Sequence, residues 1–219
     1  MAIINAVKDL FTNVTNQIIY SIMGEKYQWN WHNTKMAWEV DKGLFRGDFW
    51  QIISRWTIEL PQTILGYVYS GARTFSGDVD RVESFDGATF VISERAGKNN
   101  GLSLGSYINI NDIGRVEGDF KDYILTNPLY MHEYGHYLQS QWYGLLYLPV
   151  IGIPSLVSAA SSKEIDGDPF RRWTHAFFGP EMQANRWADV YFGSNYGVKW
   201  ERQRYRKGVI KDYYPWERR

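Results

Sequence analysis

The sequence predicts a single α+β domain spanning residues 1–219. Three observations lead there. Helical periods and helix-opening signals flank a central stretch of the chain. In that stretch, runs punctuated by Gly77, Gly87, Gly97, Gly101 and Gly105 drop to a period of two, as strands do. No repeat, low-complexity tract or linker divides the chain, and its length suits one core.

The elements follow in order. Ile3, Val7, Leu10, Val14 and Ile18 recur at helical spacing with Lys8, Asp9, Asn13 and Asn16 between them, an amphipathic helix that packs on the core. This start has neither a basic n-region nor a continuous apolar h-region, so it does not read as a signal peptide. Trp29 to Gly47 has no clear period. Phe49, Ile52, Ile53, Trp56 and Leu60 resume helical spacing, and Pro61 opens a helix through Tyr69. Ala88 to Glu94 reads as a strand, with a turn over Ala96 to Gly101. Leu102 to Asn111 reads as one half-buried strand at the border of a sheet. Leu102, Leu104, Ser106, Ile108 and Ile110 share one face; Ser103, Tyr107, Asn109 and Asn111 share the other.

Asn127 and Pro128 supply an N-cap and a first helical residue. Leu145 to Ala160, the most apolar run, is broken by Pro149, Gly152 and Pro154 and falls short of the ~18–20 residues a membrane span needs. It reads as a buried loop and short helix, and no membrane span is expected. Gly179-Pro180 opens a last helix to about Phe192.

Composition narrows the function classes. The formal net charge is zero, so no global field attracts nucleic acid. Lys199, Arg202, Arg204, Arg206, Lys207, Lys211, Arg218 and Arg219 do crowd the tail, against Glu201, Asp212 and Glu217, which reads as a solvated segment. The absence of cysteine excludes disulfides, thiolate zinc sites and cysteine nucleophiles.

The chemistry points to His132-Glu133-Tyr134-Gly135-His136, an HExxH motif on the helix begun by Pro128. Four residues is just over one helical turn, so both imidazoles project from one face toward a single ion. Imidazole and carboxylate donors suit Zn2+ best. Glu133 lies beside the open coordination position, where a carboxylate can take a proton from water. The bland alternative is two surface histidines one turn apart with no metal.

A catalytic zinc needs a third protein ligand, and the candidate is Glu181, in the first turn of the last helix. A carboxylate there is also favoured by the helix dipole alone. Asp189 is the second candidate, and the remaining histidines are His32 and His175. Asn185, one turn beyond Glu181, is placed to hydrogen-bond the far nitrogen of a ligand histidine.

HExxH on one helix, with a glutamate opening a later helix, resembles the gluzincin group of zinc metallopeptidases. The match covers Pro128 to Gln141 and Pro180 to Phe192. The resemblance implies a zincin-like fold, its active-site helix packed on a small mixed sheet, and a peptide or protein substrate. In that group an aspartate follows the glutamate by four residues; Asn185 stands there, keeping a hydrogen bond and losing a charge. The resemblance also implies an edge strand that binds extended substrate. Leu102 to Asn111 is the candidate edge, with Tyr107 and Asn109 as substrate contacts; a plain sheet strand is the alternative. A donor to the oxyanion is implied as well, and His175 is the candidate, with Tyr213 or Tyr214 behind it; a packed histidine is the alternative. The strings MHEYGHYLQSQ, YLPVIGIPSLVSA and EMQANRWADVYFG further resemble small bacterial proteins of ill-defined activity, some of them toxin-associated. That resemblance points to a bacterial source and a toxin or effector context.

These readings converge on a zinc-dependent hydrolase, foremost a peptidase. Two others stand beside it: a zinc amidase or esterase on cell-wall or lipid material, and a non-catalytic binding protein stabilised by zinc.

Overall fold

Local signals explain most of the elements in the computed structural model, which describes residues 30–95, 99–161, 175 and 178–199. The expected N-terminal helix, the basic tail, Tyr213 and Tyr214 lie outside the described residues. Asn30 opens α1 (Trp31–Lys42), its side chain accepting from the Asn33 N–H. Trp29 to Gly47, which has no clear period, is therefore largely helical. Asp48 and Gln51 form a reciprocal capping box at the start of α2 (Phe49–Trp56). A break after Trp56 separates α2 from α3 (Leu60–Phe75), which carries Pro61 in its first turn.

Four strands follow: β1 (Arg81–Phe85), β2 (Ala88–Ser93), β3 (Asn100–Leu104) and β4 (Tyr107–Asn111). They form one mixed sheet in the order β1-β2-β4-β3, with β2 and β4 parallel and the other two pairs antiparallel. Asp86-Gly87, both at positive φ, makes the two-residue turn between β1 and β2. Gly105-Ser106 makes the turn between β3 and β4, with Gly105 at φ 59°.

That second turn corrects the single strand expected over Leu102 to Asn111. Leu104 pairs with Tyr107, so the chain reverses there and the alternation changes phase. Ser103, paired with Ile108, shares a face with Ile108 and Ile110, whereas Leu102 and Leu104 share the face of Tyr107 and Asn109. The edges of the sheet are β1 and β3, and β4 lies inside it.

Helices cover both faces. On one, α4 (Phe120–Thr126), α5 (Pro128–Tyr143) and α7 (Gly179–Tyr196) close the larger core with Phe85, Phe90, Ile92, Ile108 and Ile110. On the other, Met36 and Val40 of α1 pack with Val82, Val91 and Tyr107, and Gly66 brings α3 close to the β3–β4 turn. A β-carbon at Gly66 would lie 2.3 Å from the Leu104 carbonyl oxygen. The architecture is α+β, with seven α-helices and four strands among the described residues.

The apolar run after α5 departs from the buried loop expected of it. It forms a π-helical turn (Leu148–Gly152) leading into α6 (Ile153–Ser161). Leu145, Leu146, Val150, Ile153, Leu156 and Val157 are all exposed, because the inner side of this segment is taken by Tyr147, Ile151 and Ser155. No single described helix is long and apolar enough to cross a membrane.

Candidate metal centre

Asn127 and Pro128 start α5 so that residues 132 and 136 fall one turn apart on the side facing α7. Gly135 permits the approach: a β-carbon there would lie 2.1 Å from the Ala184 carbonyl oxygen. With α5 and α7 in backbone contact, Glu181 in the first turn of α7 reaches across to both histidines. Its Oε2 is 3.1 Å from His132 Nε2 and 3.2 Å from His136 Nε2.

The outer nitrogens of both rings are engaged. His132 Nδ1 meets Asn185 Oδ1 at 2.7 Å, and His136 Nδ1 meets Gln139 Oε1 at 2.7 Å. Gln139 is pinned in this orientation, because its amide nitrogen donates to the Pro180 carbonyl and to Gln183 Oε1. With Nδ1–H donating on each ring, both Nε2 lone pairs point at a carboxylate oxygen. Three electron-rich atoms converge without a donor among them, and only a cation reconciles them. In the protein alone that cation is the proton; a metal ion is the alternative the donor set favours. At a Zn–N distance of about 2.0–2.1 Å, tetrahedral ligand atoms lie roughly 3.3–3.4 Å apart, close to the separations here. These are the three residues, among those described, whose donor atoms gather in this way, all within 4.8 Å of one another.

The electrostatics agree. Burial opposes ionisation of Glu181, but hydrogen bonds and charge from His132 and His136 outweigh it and hold the carboxyl far below the usual carboxylate range. Burial likewise works against a charged His136. The Glu181 hydrogen bond and charge, the Glu133 charge and Gln139 reverse the sign, and its pKa is raised.

Glu133 is turned toward β3. Its Oε2 accepts from Ser103 Oγ at 2.7 Å, and the same hydroxyl lies 2.9 Å from the Glu133 carbonyl. Room for it comes from Gly101, where a β-carbon would lie 2.4 Å from the carboxylate carbon. Tyr147 completes this wall by donating to the Ser103 carbonyl at 2.8 Å. Burial, and then the charges of Glu133 and Glu181, push the Tyr147 phenol pKa up, so it stays a donor. The cavity, about 520 Å³, lies between β3, α5, α6 and α7. From α6, Ser155 Oγ donates to Glu181 Oε1.

His175 also lines this cavity, with Nε2 3.9 Å from Glu181 Oε2 and Nδ1 3.1 Å from Ser158 Oγ. Asp189 lies outside both the donor cluster and the cavity lining. His32 is elsewhere, bonding the Val79 carbonyl. Tyr107 and Asn109 must be corrected as substrate contacts. Both are buried on the opposite face of the sheet, where the Tyr107 hydroxyl donates to the Val40 carbonyl and Asn109 bonds Ser70 and Arg73. The phase change at Gly105-Ser106 sends them there.

Sequence reasoning missed Ser103, Gly101, Gln139, Ser155 and Tyr147. Gln139 carries a legible signal, since it stands three residues after His136 on the same helix. Ser155 and Tyr147 carry none, because the π-helical turn that aims them has no sequence signature here. Compared with known proteins, the chain matches no family model, no curated protein and no solved structure.

Proposed function

We propose that this chain is a zinc-dependent hydrolase of zincin-like architecture that cleaves peptide bonds. One observation carries the reading: His132, His136 and Glu181 converge at one end of a cavity that also holds a buried carboxylate, Glu133, on the adjacent helical position. That carboxylate also ties α5 to β3 through the Ser103 hydroxyl, and the hydrolase reading gives it a chemical use besides.

His132 Nε2, His136 Nε2 and Glu181 Oε2 would hold the ion, with Asn185 and Gln139 fixing the two rings. When bound, zinc supplies Lewis acidity and makes water acidic enough to act as a nucleophile near neutral pH. Glu133 accepts the proton released from water and returns it to the leaving amine, and the Ser103 hydroxyl keeps its carboxylate aimed throughout. His175 enters from the α6 side of the cavity as a donor to the developing oxyanion, its ring steadied by Ser158. Substrate lies extended along β3, whose residues 100–104 line the cavity and whose outer edge has no partner strand among the described residues.

The exposed apolar residues of α6, the cavity's other wall, favour a second reading in which the scissile bond is an amide or ester of lipid-borne material. Both are tested in two steps. Elemental analysis is expected to find near-stoichiometric zinc in the protein and sharply less in Glu181→Ala. Glu133→Gln is expected to keep its zinc and lose turnover by at least about 10²–10⁴-fold on a panel of unlabelled proteins, peptidoglycan and lipid. Cleavage at the wild-type rate by Glu133→Gln sinks the mechanism, and cleavage confined to non-protein substrates selects the second reading.

A further inference from the structure

Two segments of this chain are folded inside out. In α3, Gln62, Thr63, Ser70 and Thr74 are buried, whereas Ile64, Leu65, Val68 and Tyr69 are exposed. In α2, Arg55 is buried and gives its guanidinium to the carbonyls of Gly43, Arg46 and Gly87, while Phe49, Ile53, Trp56 and Trp50 (74% exposed) face outward. A helix on a water-bathed domain has the reverse arrangement.

Charge is absent from the outward side. Between Phe49 and Phe75 the sequence has three charged residues, Arg55, Glu59 and Arg73. Arg55 and Glu59 are buried, and Arg73 reaches inward to the Val91 carbonyl, Asn109 and Asn111. Beyond this stretch, the segment Leu145 to Ser161 also has no charged residue and exposes Leu145, Leu146, Val150, Ile153 and Val157. The two segments adjoin, since a β-carbon on Gly144 would lie 3.2 Å from Cβ of the exposed Ile58.

Some of the polar atoms on this surface are satisfied from within. Thr57 Oγ1 bonds the Ile53 carbonyl, and Trp56 Nε1 donates to the Leu44 carbonyl. A protein partner would need about one hydrogen bond per 100–200 Å² of contact, and this face offers little to make them with. Hydrocarbon asks for none. Exposed Phe49, Trp50 and Trp56 on a charge-free face suit the headgroup boundary of a bilayer. The sequence adds eight basic residues against three acidic ones from Lys199 onward, complementary to anionic lipid.

We propose that the continuous surface of α2, α3 and the Leu145–Ser161 segment seats this protein on a lipid bilayer, lying in the interface without crossing it. The inference stands apart from the hydrolase reading. It does give that reading a direction: α6 carries part of the lipid-facing surface on one side and Ser155, bonded to Glu181, on the other. The cavity mouth is then at the membrane surface.

The full-length protein is mixed with vesicles of phosphatidylcholine, alone or with phosphatidylglycerol, and sedimented; its mass is measured in parallel by light scattering. A monomer that pellets with vesicles, more strongly with the anionic ones, is the expected result. Leu65→Glu and Val157→Glu should each weaken partitioning about tenfold, with the melting temperature unchanged. A protein that stays in the supernatant with both vesicle types overturns the proposal, as does pelleting unaffected by either substitution. An oligomer that Leu65→Glu splits into monomers also overturns it, and makes the face a protein interface.

Discussion

The two helical layers of this molecule follow opposite rules on opposite faces of one small sheet. Under α5 and α7 the interior is aromatic and aliphatic, with Phe85, Phe90, Tyr130, Tyr134 and Phe192 packed ring against ring. Glu133, His136 and Glu181 gather at one cavity, while buried Asp112 accepts from Tyr123 and Tyr130 away from it. Under α3 the interior is threaded with Gln62, Thr63, Ser70, Arg73 and Thr74, and the oily residues look outward. The first layer draws its stability mainly from burial of apolar and aromatic side chains. The second adds to the small apolar cluster around Val40 and Tyr107 hydrogen bonds from helix to sheet, such as Arg73 to Asn111 at 2.7 Å, and leaves much of the apolar area of α3 exposed.

The contrast is sharpest in the core of the first layer. Ile108→Ala, fully buried between β2 and α5, is expected to cost about 2–5 kcal/mol in chemical denaturation. A loss below 1 kcal/mol would mean that this layer is not the cohesive one.

Glycine contacts come next. Gly135→Ala and Gly66→Ala each force a methyl group against a backbone carbonyl, at Ala184 and Leu104 respectively, and each should cost about 1–3 kcal/mol. Only Gly135→Ala separates Glu181 from the histidines, so only that variant should lose zinc occupancy. Equal occupancy in the two variants would break the assignment of the site to the α5–α7 contact.

The pH dependence of stability distinguishes proton from metal. The depressed carboxyl of Glu181 contributes stability that is complete above its ordinary value of 4.5 and is lost as pH falls through the folded value. The raised imidazole of His136 contributes stability that is complete below 6.5 and is lost as pH rises through the folded value. Metal-free protein should therefore gain most from the pair between 4.5 and 6.5. Zinc requires neutral imidazoles, so zinc-loaded protein should gain stability as pH rises through the same range. Thermal melts of both forms across pH should diverge, and parallel curves would remove the ion from the site. The smallest effect belongs to the outward face: Leu65→Gln should change folding stability by no more than about 0.5 kcal/mol.

The His132, His136 and Glu181 cluster is largely legible in the sequence, and its framing is not. Four-residue spacing and an Asn-Pro start place His132 and His136 on one helical face whatever surrounds them, and Gly-Pro-Glu does the same for Glu181. Periodicity tells which residues share a face, however, and is silent on which face meets the core. Phe49, Ile53 and Trp56 share a side of α2 that turns outward because Arg55 finds three carbonyl partners within. Likewise, Leu102 to Asn111 alternates without interruption in the sequence, which hides a two-residue turn that puts Leu104 and Tyr107 on one face and shifts the phase. Glycine at 105 was the clue to that reversal, and Asp86-Gly87 was its stronger counterpart upstream.

An open strand edge is a hazard as well as a docking place, since any extended chain can add to it, another copy of this protein included. The hydroxyl of Tyr147 bears on both. By occupying the Ser103 carbonyl, it removes one acceptor from the row that a visiting strand would read. An incoming segment would find a ladder shortened by that one acceptor. One phenol thus narrows the edge that β3 leaves open.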